Sequence, residues 1–305
     1  MEALTRNFFL FLSKSRFLNS MAQKRGSRLV TGKIIAGTDF QSSIPIIKQL
    51  NWNGLATTVD HLGEFVHSAK IASERTEEAI RTLNIIGKEN LDSHLSVKLT
   101  SLGLDIDDDL VIENMTRILD TAEQQGIMVT IDMEDEPRCE KTLEIFKLFK
   151  QNYSCVSTVL QAYLYRSEQD LQELRPYQPF LRLVKGAYKE PPNVAYPNKK
   201  DVDDNYKKMI EQSLKEGLYI AVASHDDRMI EYTKELTKKL QIPKDQFEFQ
   251  MLYGMRNKTQ LQLVEQGYKV RVYVPYGRDW YGYFMRRLAE RPANIAFAFK
   301  GILRD

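Results

Sequence analysis

The chain has 305 residues, 43% hydrophobic and 28% charged, with 15 glycines and 10 prolines, an ordinary globular composition that excludes collagen-like, disordered and disulfide-scaffold classes. Lysines and arginines number 43 against 41 aspartates and glutamates, leaving a formal +2, so no overall basic field points to nucleic acid as a partner. The length allows two domains or one α/β barrel, which runs to roughly 250 residues or more.

The N-terminal stretch is locally basic: Arg6, Lys14, Arg16, Lys24, Arg25, Arg28 and Lys33 face Glu2 alone before residue 35. Leu4, Phe8, Phe11 and Leu12 fall on one helical face and Ile44, Ile47 and Leu50 on another, which predicts a helical segment over residues 1–50. The apolar run Phe8 to Leu12 is far short of the about 20 residues that span a bilayer, and no small-residue cleavage site follows it. Cys139 and Cys155, the only two cysteines, have neither CxxC nor zinc spacing, which indicates a reducing compartment. A cytoplasmic location is expected, with peripheral contact at the inner face of the cell membrane as a further role for Phe8, Phe11, Leu12, Phe17 and the basic residues around them.

From about residue 51 to the end, short β-branched runs alternate with longer amphipathic stretches. Eight runs are expected as strands: Leu55 to Val59, Leu95 to Leu99, Ile127 to Ile131, Val156 to Leu160, Leu181 to Val184, Tyr219 to Ala223, Phe247 to Met251 and Val270 to Val274. Helical patterns between them include Asp107 to Gln125, Glu140 to Phe149, Asp201 to Glu216, Asp227 to Leu240 and Asn257 to Gln266. Asp107, Asp201, Asp227 and Asn257 stand where N-caps are wanted, and Gly126, Gly217 and Gly267 where a C′ residue is wanted. Parallel strands need crossover helices, and eight strand–helix units close best into a (βα)8 TIM-type barrel, here preceded by N-terminal helices. An open doubly wound sheet is the rival, but it would normally carry a glycine-rich first turn, and no GxGxxG occurs. Residues 51–305 are thus expected to be one barrel domain, with Glu190 to Lys200 as a long loop on its active face.

In such a barrel the site lies where strands meet their following loops. There the sequence puts Lys98, Asp132, Gln161 and the pair Ser224-His225, with Arg182 and Lys185 inside Leu181-Arg182-Leu183-Val184-Lys185. Three cations and a carboxylate entering one barrel mouth need partners or a charged ligand. A lone histidine after a strand, as His225 is, is more often a hydrogen-bonded turn residue than a catalyst, and His61, His67 and His94 show no metal-ligand spacing with it, so no metal is assigned. The acidic run Asp105 to Asp109 reads as a solvated helix N-terminus. Near the C-terminus, Glu290 follows Arg286 by four residues and Arg287 by three, so one carboxylate can orient both guanidinium groups, as a surface ladder or as an anion clamp.

Together, Val97-Lys98-Leu99-Thr100, Ile131-Asp132-Met133-Glu134, Leu160-Gln161-Ala162-Tyr163, Arg182-Leu183-Val184-Lys185-Gly186-Ala187-Tyr188, Ala223-Ser224-His225-Asp226, Phe249-Gln250-Met251-Leu252-Tyr253-Gly254-Met255, Arg271-Val272-Tyr273-Val274-Pro275 and Arg286-Arg287-Leu288-Ala289-Glu290 closely resemble, in order, the motifs of the monofunctional bacterial proline dehydrogenases. The resemblance implies a distorted (βα)8 barrel holding FAD non-covalently and oxidising L-proline to Δ1-pyrroline-5-carboxylate. It implies flavin contacts from Met133, Gln161, Arg182, Lys185, Gly186, Ala187, Ser224 and His225. It implies a proline site made of Lys98, Arg286 and Arg287 at the carboxylate and Tyr188, Leu252 and Tyr273 around the ring, with Asp132 closing the charge network and Glu290 orienting the arginines. Transfer of electrons to a membrane quinone and a separate pyrroline-5-carboxylate dehydrogenase downstream are further implications. Three rivals remain at this level: a flavin barrel of the methylenetetrahydrofolate reductase type, a Schiff-base aldolase using Lys98 or Lys185, and a barrel whose charges merely pair.

Overall fold

The computed structural model describes residues 35–290, with side chains described as far as Met285. The basic run and Phe8, Phe11, Leu12 and Phe17 therefore lie outside the described residues.

Eight parallel strands form a closed barrel in sequence order: β1 (Ala56–His61), β2 (Ser93–Val97), β3 (Val129–Ile131), β4 (Val156–Gln161), β5 (Leu181–Val184), β6 (Ile220–Ala223), β7 (Phe247–Leu252) and β8 (Val270–Tyr276). Closure comes from β1 pairing with β8, in register from Ala56 opposite Arg271 to His61 opposite Tyr276. Every expected strand is present, most of them shifted by one or two residues, and β5 has the bounds read from the sequence. The helices are α1 (Phe40–Trp52), α2 (Ala69–Lys88), α3 (Asp108–Gln125), α4 (Glu136–Lys150), α5 (Ser167–Leu174), α6 (Lys199–Lys215), α7 (Asp227–Lys239), α8 (Asn257–Glu265) and α9 (Trp280–Glu290).

The helix expected from Glu140 begins four residues earlier, at Glu136, with a proline in its first turn, and N-caps need correction at three places. Asp107 is the N-cap of α3, its side chain accepting from the Leu110 N–H, but α6 begins earlier, behind Asn198, so that Asp201 sits in its first turn. Asp227 and Asn257 are the first helical residues of α7 and α8, the caps being Asp226 and Arg256. For Asp201 and Asp227 the cause is the same: an acid in the first turn interacts favourably with the helix dipole, as a capping acid does, so composition cannot separate the two positions; Asn257 instead follows Arg256, which takes the cap position in the left-handed region, φ 57°. Gly126 ends α3 at the C-cap itself in the left-handed region, φ 67°, while Gly217 and Gly267 follow the caps of α6 and α8.

Side chains alternate along each strand. Ser96 of β2, Arg182 of β5, Gln250 of β7 and Tyr273 of β8 meet across the barrel interior through hydrogen bonds and a ring contact. Their neighbours Leu95, Val97, Leu181, Leu183, Phe249, Met251, Val272 and Val274 therefore face outward, where they are buried with Met115, Ile118 and Leu119 of α3, Phe146 of α4 and Met209 of α6. The greasy core is the shell between barrel and helices, and the barrel interior is mostly polar, unlike the usual Val, Ile and Leu filling. Before the barrel, Asp39 caps α1 in a reciprocal pair with Ser42, Ile44 and Ile47 are buried, and the Ala36 N–H donates to Pro275 O at 3.0 Å. That bond lays the entering chain beside the end of β8.

Candidate functional site

Lys98 leaves β2 as the lead residue of a short 3₁₀ turn, Leu99–Ser101. Its ammonium donates to Asp60 Oδ2 at 3.1 Å and Asp132 Oδ2 at 3.0 Å. Asp132 follows β3, its N–H bonded to Val97 O at 2.9 Å. Its other oxygen accepts from Ser96 Oγ at 2.7 Å and Arg182 Nη1 at 2.5 Å, and Oδ2 also accepts from Tyr273 Oη at 2.7 Å. Arg182 lies with its Cζ 5.2 Å from the centre of the Tyr273 ring. Two carboxylates and two cations thus form one buried, formally neutral cluster, the arrangement that offsets the cost of desolvating each charge.

The protonation states follow. Burial pushes the Asp132 carboxyl up, but the charges of Lys98 and Arg182 and the bonds from Ser96 and Tyr273 outweigh it and hold the group at about 2. Burial would lower the Lys98 ammonium; Asp60 and Asp132 reverse this and raise it well above its ordinary value. Burial raises the Tyr273 phenol, and Asp132 and Asp60 raise it further. At neutral pH Asp132 is therefore an anion, Lys98 a cation and Tyr273 a neutral phenol.

Asp60, Lys98, Asp132, Arg182, Gln250 and Tyr273 line one end of a cavity of about 1040 Å³ at the strand C-termini, at or above the upper end of small-molecule sites, roughly 300–1,000 Å³. Met133, Gln161, Lys185, Gly186, Ala187, Tyr188, Ser224, His225 and Leu252 line the same cavity. The structure therefore brings together every predicted site residue up to Tyr273. Arg286, Arg287 and Glu290 belong to α9, whose backbone leads from the top of β8 and whose Tyr283 reaches the cavity, but their side chains lie outside the described residues.

Several wall residues have a clear local cause. Gln161 Nε2 donates to Met133 O at 3.5 Å, and its Oε1 is buried without a hydrogen-bond partner. Gly186 has φ 114°, and a Cβ there would fall 2.2 Å from the Tyr163 ring, so only glycine lets the loop after β5 press so closely. Lys185 bonds Asp203 at 2.5 Å and Asp226 at 2.9 Å, and Lys199 and Arg228 add to that outer charge cluster. The His225 Nε2 accepts from the Leu252 N–H at 3.0 Å, tying the ends of β6 and β7 together. So His225 is both a hydrogen-bonded turn residue and a wall of the cavity.

Asp60, Ser96, Gln250 and the floor pair Glu248–Arg271 were not singled out in the sequence. Asp60 ends its strand as Lys98 and Asp132 end theirs, and Ser96 and Gln250 share a face with residues two positions on, so period-two reading extended below the strand ends would have found them. Glu134, beside Asp132, accepts from Thr100 N at 3.1 Å and Thr100 Oγ1 at 2.5 Å. Burial pushes it up, and the bonds from Thr100 only partly reverse this, leaving it at about 7.

Among the described residues no helix is long and apolar enough to cross a membrane. Comparison with known proteins finds the proline dehydrogenase family model matching residues 44–299. Proline dehydrogenase 2 of Bacillus subtilis (strain 168) is 66% identical over 301 residues, 99% of both chains. A proline dehydrogenase of Deinococcus radiodurans is 41% identical, again over 99% of both. Among solved structures, proline utilization A (PutA) from Bdellovibrio bacteriovorus, inactivated by N-propargylglycine, superposes with a TM-score of 0.81 at 27% identity, covering 89% of this chain. The chain spans about a third of that larger protein, 34%. The motifs, the closed barrel and these end-to-end matches agree: the chain belongs to the proline dehydrogenase family, oxidoreductases acting on the CH–NH group of donors.

Proposed function

We propose that the chain oxidises L-proline to Δ1-pyrroline-5-carboxylate with FAD held non-covalently, as the first step of proline catabolism. The observation that carries this reading is the fixed-charge cluster of Lys98, Asp132 and Arg182 at one end of the large cavity. The wall fits a flavin: the buried, unpartnered Oε1 of Gln161 is an acceptor of the kind a flavin ring N–H would fill. Met133, Gln161, Arg182, Lys185, Gly186, Ala187, Ser224 and His225 are proposed to hold it. When bound, the flavin supplies a two-electron acceptor for the hydride that leaves C5 of proline.

The protein's own task is orientation and charge. Lys98, with Arg286 and Arg287 oriented by Glu290, is proposed to grip the carboxylate, while Tyr188, Leu252 and Tyr273 wall the ring. With the amine neutral, its lone pair becomes the new C=N bond as hydride departs from C5, the resulting iminium gives its N–H proton to water to leave the imine, and no covalent nucleophile is required. Asp132, held ionised, fixes Arg182 and Lys98 and does not serve as an acid or base near neutrality. A Schiff-base lysine must shed its proton. Lys98 is held in the opposite direction, and Lys185 is committed to Asp203 and Asp226, which disfavours the aldolase reading.

The remaining parts of the proposal concern context. Residues 1–50 form an N-terminal segment and 51–305 the catalytic barrel; the basic N-terminal run touches the anionic inner face of the cell membrane, where a quinone accepts the electrons; and a separate pyrroline-5-carboxylate dehydrogenase consumes the product. The test is Arg182→Ala. Flavin loss, or a fall in kcat of at least about tenfold at matched flavin content, is expected from losing one charge-assisted contact at the reacting centre. Full flavin content with unchanged kcat would overturn the assignment.

A further inference from the structure

Glu248 on β7 and Arg271 on β8 are 0% and 1% exposed and lie outside the cavity lining. They bond at 2.8 Å, Arg271 Nε to Glu248 Oε1, with a second contact at 3.3 Å. Arg271 Nη1 donates to Thr57 O at 2.7 Å, so the pair is anchored to β1 as well. Gln250 stands two residues beyond Glu248 on the same face of β7 and is bonded in both directions. Its Nε2 donates to Glu248 Oε1 at 2.7 Å, and its Oε1 accepts from Arg182 Nε at 2.7 Å.

The chemistry of the two ends dictates what can stand between them. A carboxylate only accepts and a guanidinium only donates, so the bridging residue needs one donor and one acceptor at opposite corners, which an amide provides. Flipping the amide would set its oxygen against Glu248 and its NH₂ against Arg182, so Glu248 leaves Gln250 a single competent orientation. The other nitrogens of Arg182 go to Asp132 and Ser96. Gln250 therefore supplies the third corner of a three-point mount, and without it the Nε–H would be buried and unsatisfied.

We infer that Gln250 is the positioning residue for Arg182, locked in its amide orientation by the Glu248–Arg271 pair on the barrel floor. The floor of the barrel thereby sets how the guanidinium is aimed into the cavity. This rests on the reading of Arg182 as a flavin neighbour.

Three variants of the holoenzyme test it, each checked for folding by circular dichroism and compared at matched flavin content. The readouts are KM and kcat for proline and the affinity of the oxidised flavin for sulfite. Sulfite adds to the flavin as an anion and so gauges nearby positive charge without turnover. Arg182→Ala should weaken sulfite binding and lower kcat. Gln250→Met should do the same in smaller measure, about tenfold, the loss of one hydrogen bond to a charged group, with KM changed less than about twofold. Gln250→Glu carries the proposal should Gln250→Met fail to hold flavin. A protonated carboxyl has one donor and one acceptor, like the amide, so kcat of this variant should approach wild type at low pH and fall as the pH rises, with a pH profile displaced from that of the wild type. Sulfite affinity and kcat that respond to Arg182→Ala but not to Gln250→Met, or a Gln250→Glu pH profile identical to wild type, would overturn the inference alone. If neither Arg182→Ala nor Gln250→Met moves either readout, the placement of Arg182 beside the flavin fails, and the inference with it.

Discussion

Replacing Asp132 with asparagine removes the anion that touches both Lys98 and Arg182, and it turns one acceptor corner into a donor among Ser96, Tyr273 and the two cations. Lys98 keeps Asp60 at 3.1 Å, but among the described residues Arg182 loses its only carboxylate partner. The side chains are 7% exposed for Arg182 and 10% for Asp132, so water replaces little of what is lost. Breaking a buried pair on one side costs about 3–5 kcal/mol, and roughly 2–4 °C of Tm accompanies each kcal/mol in a large domain. Urea denaturation of Asp132→Asn should show that loss. In the double variant Lys98→Met/Asp132→Asn, charge balance returns, and the cost should fall below the sum of the single variants by more than about 1 kcal/mol. The pH dependence has a definite sign: the folded carboxyl lies at about 2, below its unfolded value near 3.9, so its stabilisation is present above about pH 4 and is lost as pH falls towards 2. A cost below about 1 kcal/mol, with an additive double variant, would refute the view that the charges stabilise one another.

Other expectations follow from neighbouring groups. Glu134 lies at about 7 when folded, above its unfolded value, so the folded state binds more protons between about pH 4.5 and 7 and stability should decline across that window; Glu134→Gln should flatten the slope, as read by Tm against pH. Gly186→Ala would force φ 114° on alanine and drive Cβ to 2.2 Å from the Tyr163 ring, so flavin retention in the purified protein should drop sharply, while Gly217→Ala, with open space around its Cβ, should leave it nearly unchanged. Arg286→Ala and Arg287→Ala should each raise KM for proline about ten- to a hundredfold, the loss of a charge-assisted bond, yet leave pyrrolidine, which lacks the carboxylate, nearly unaffected; parallel changes for both substrates would show that these arginines do not read the carboxylate.

The fold was legible because its signal is local and repeated. A run such as Leu181 to Val184 is apolar on one face, and its period of two announces a strand without any knowledge of its neighbours. The polar residues that interrupt such runs, Arg182 within one and Lys98, Asp132 and Gln161 at the ends of others, were legible for the same reason. What stayed hidden is what depends on register. Arg182 meets Gln250 68 positions away and Ser96 86 positions away, and only barrel closure brings them together. Helix α2, not among the helices named from the sequence, is a different case: its buried face opens with the small or polar Ala72, Thr76, Ala79 and Thr82, and of its buried residues only Leu83 and Ile86, near its end, are large and apolar. Nothing local in the sequence shows that Glu134 is buried, because its partner Thr100 comes from 34 positions away.

The central claim is that this cavity holds a flavin which proline reduces. The direct measurement is the visible absorbance of the purified holoenzyme under anaerobic conditions during titration with L-proline and, separately, with NADH. A flavin spectrum that bleaches with proline, recovers on adding a quinone analogue and is unmoved by NADH is the predicted result. A colourless protein, or a bound flavin that proline leaves oxidised while NADH reduces it, would contradict the account.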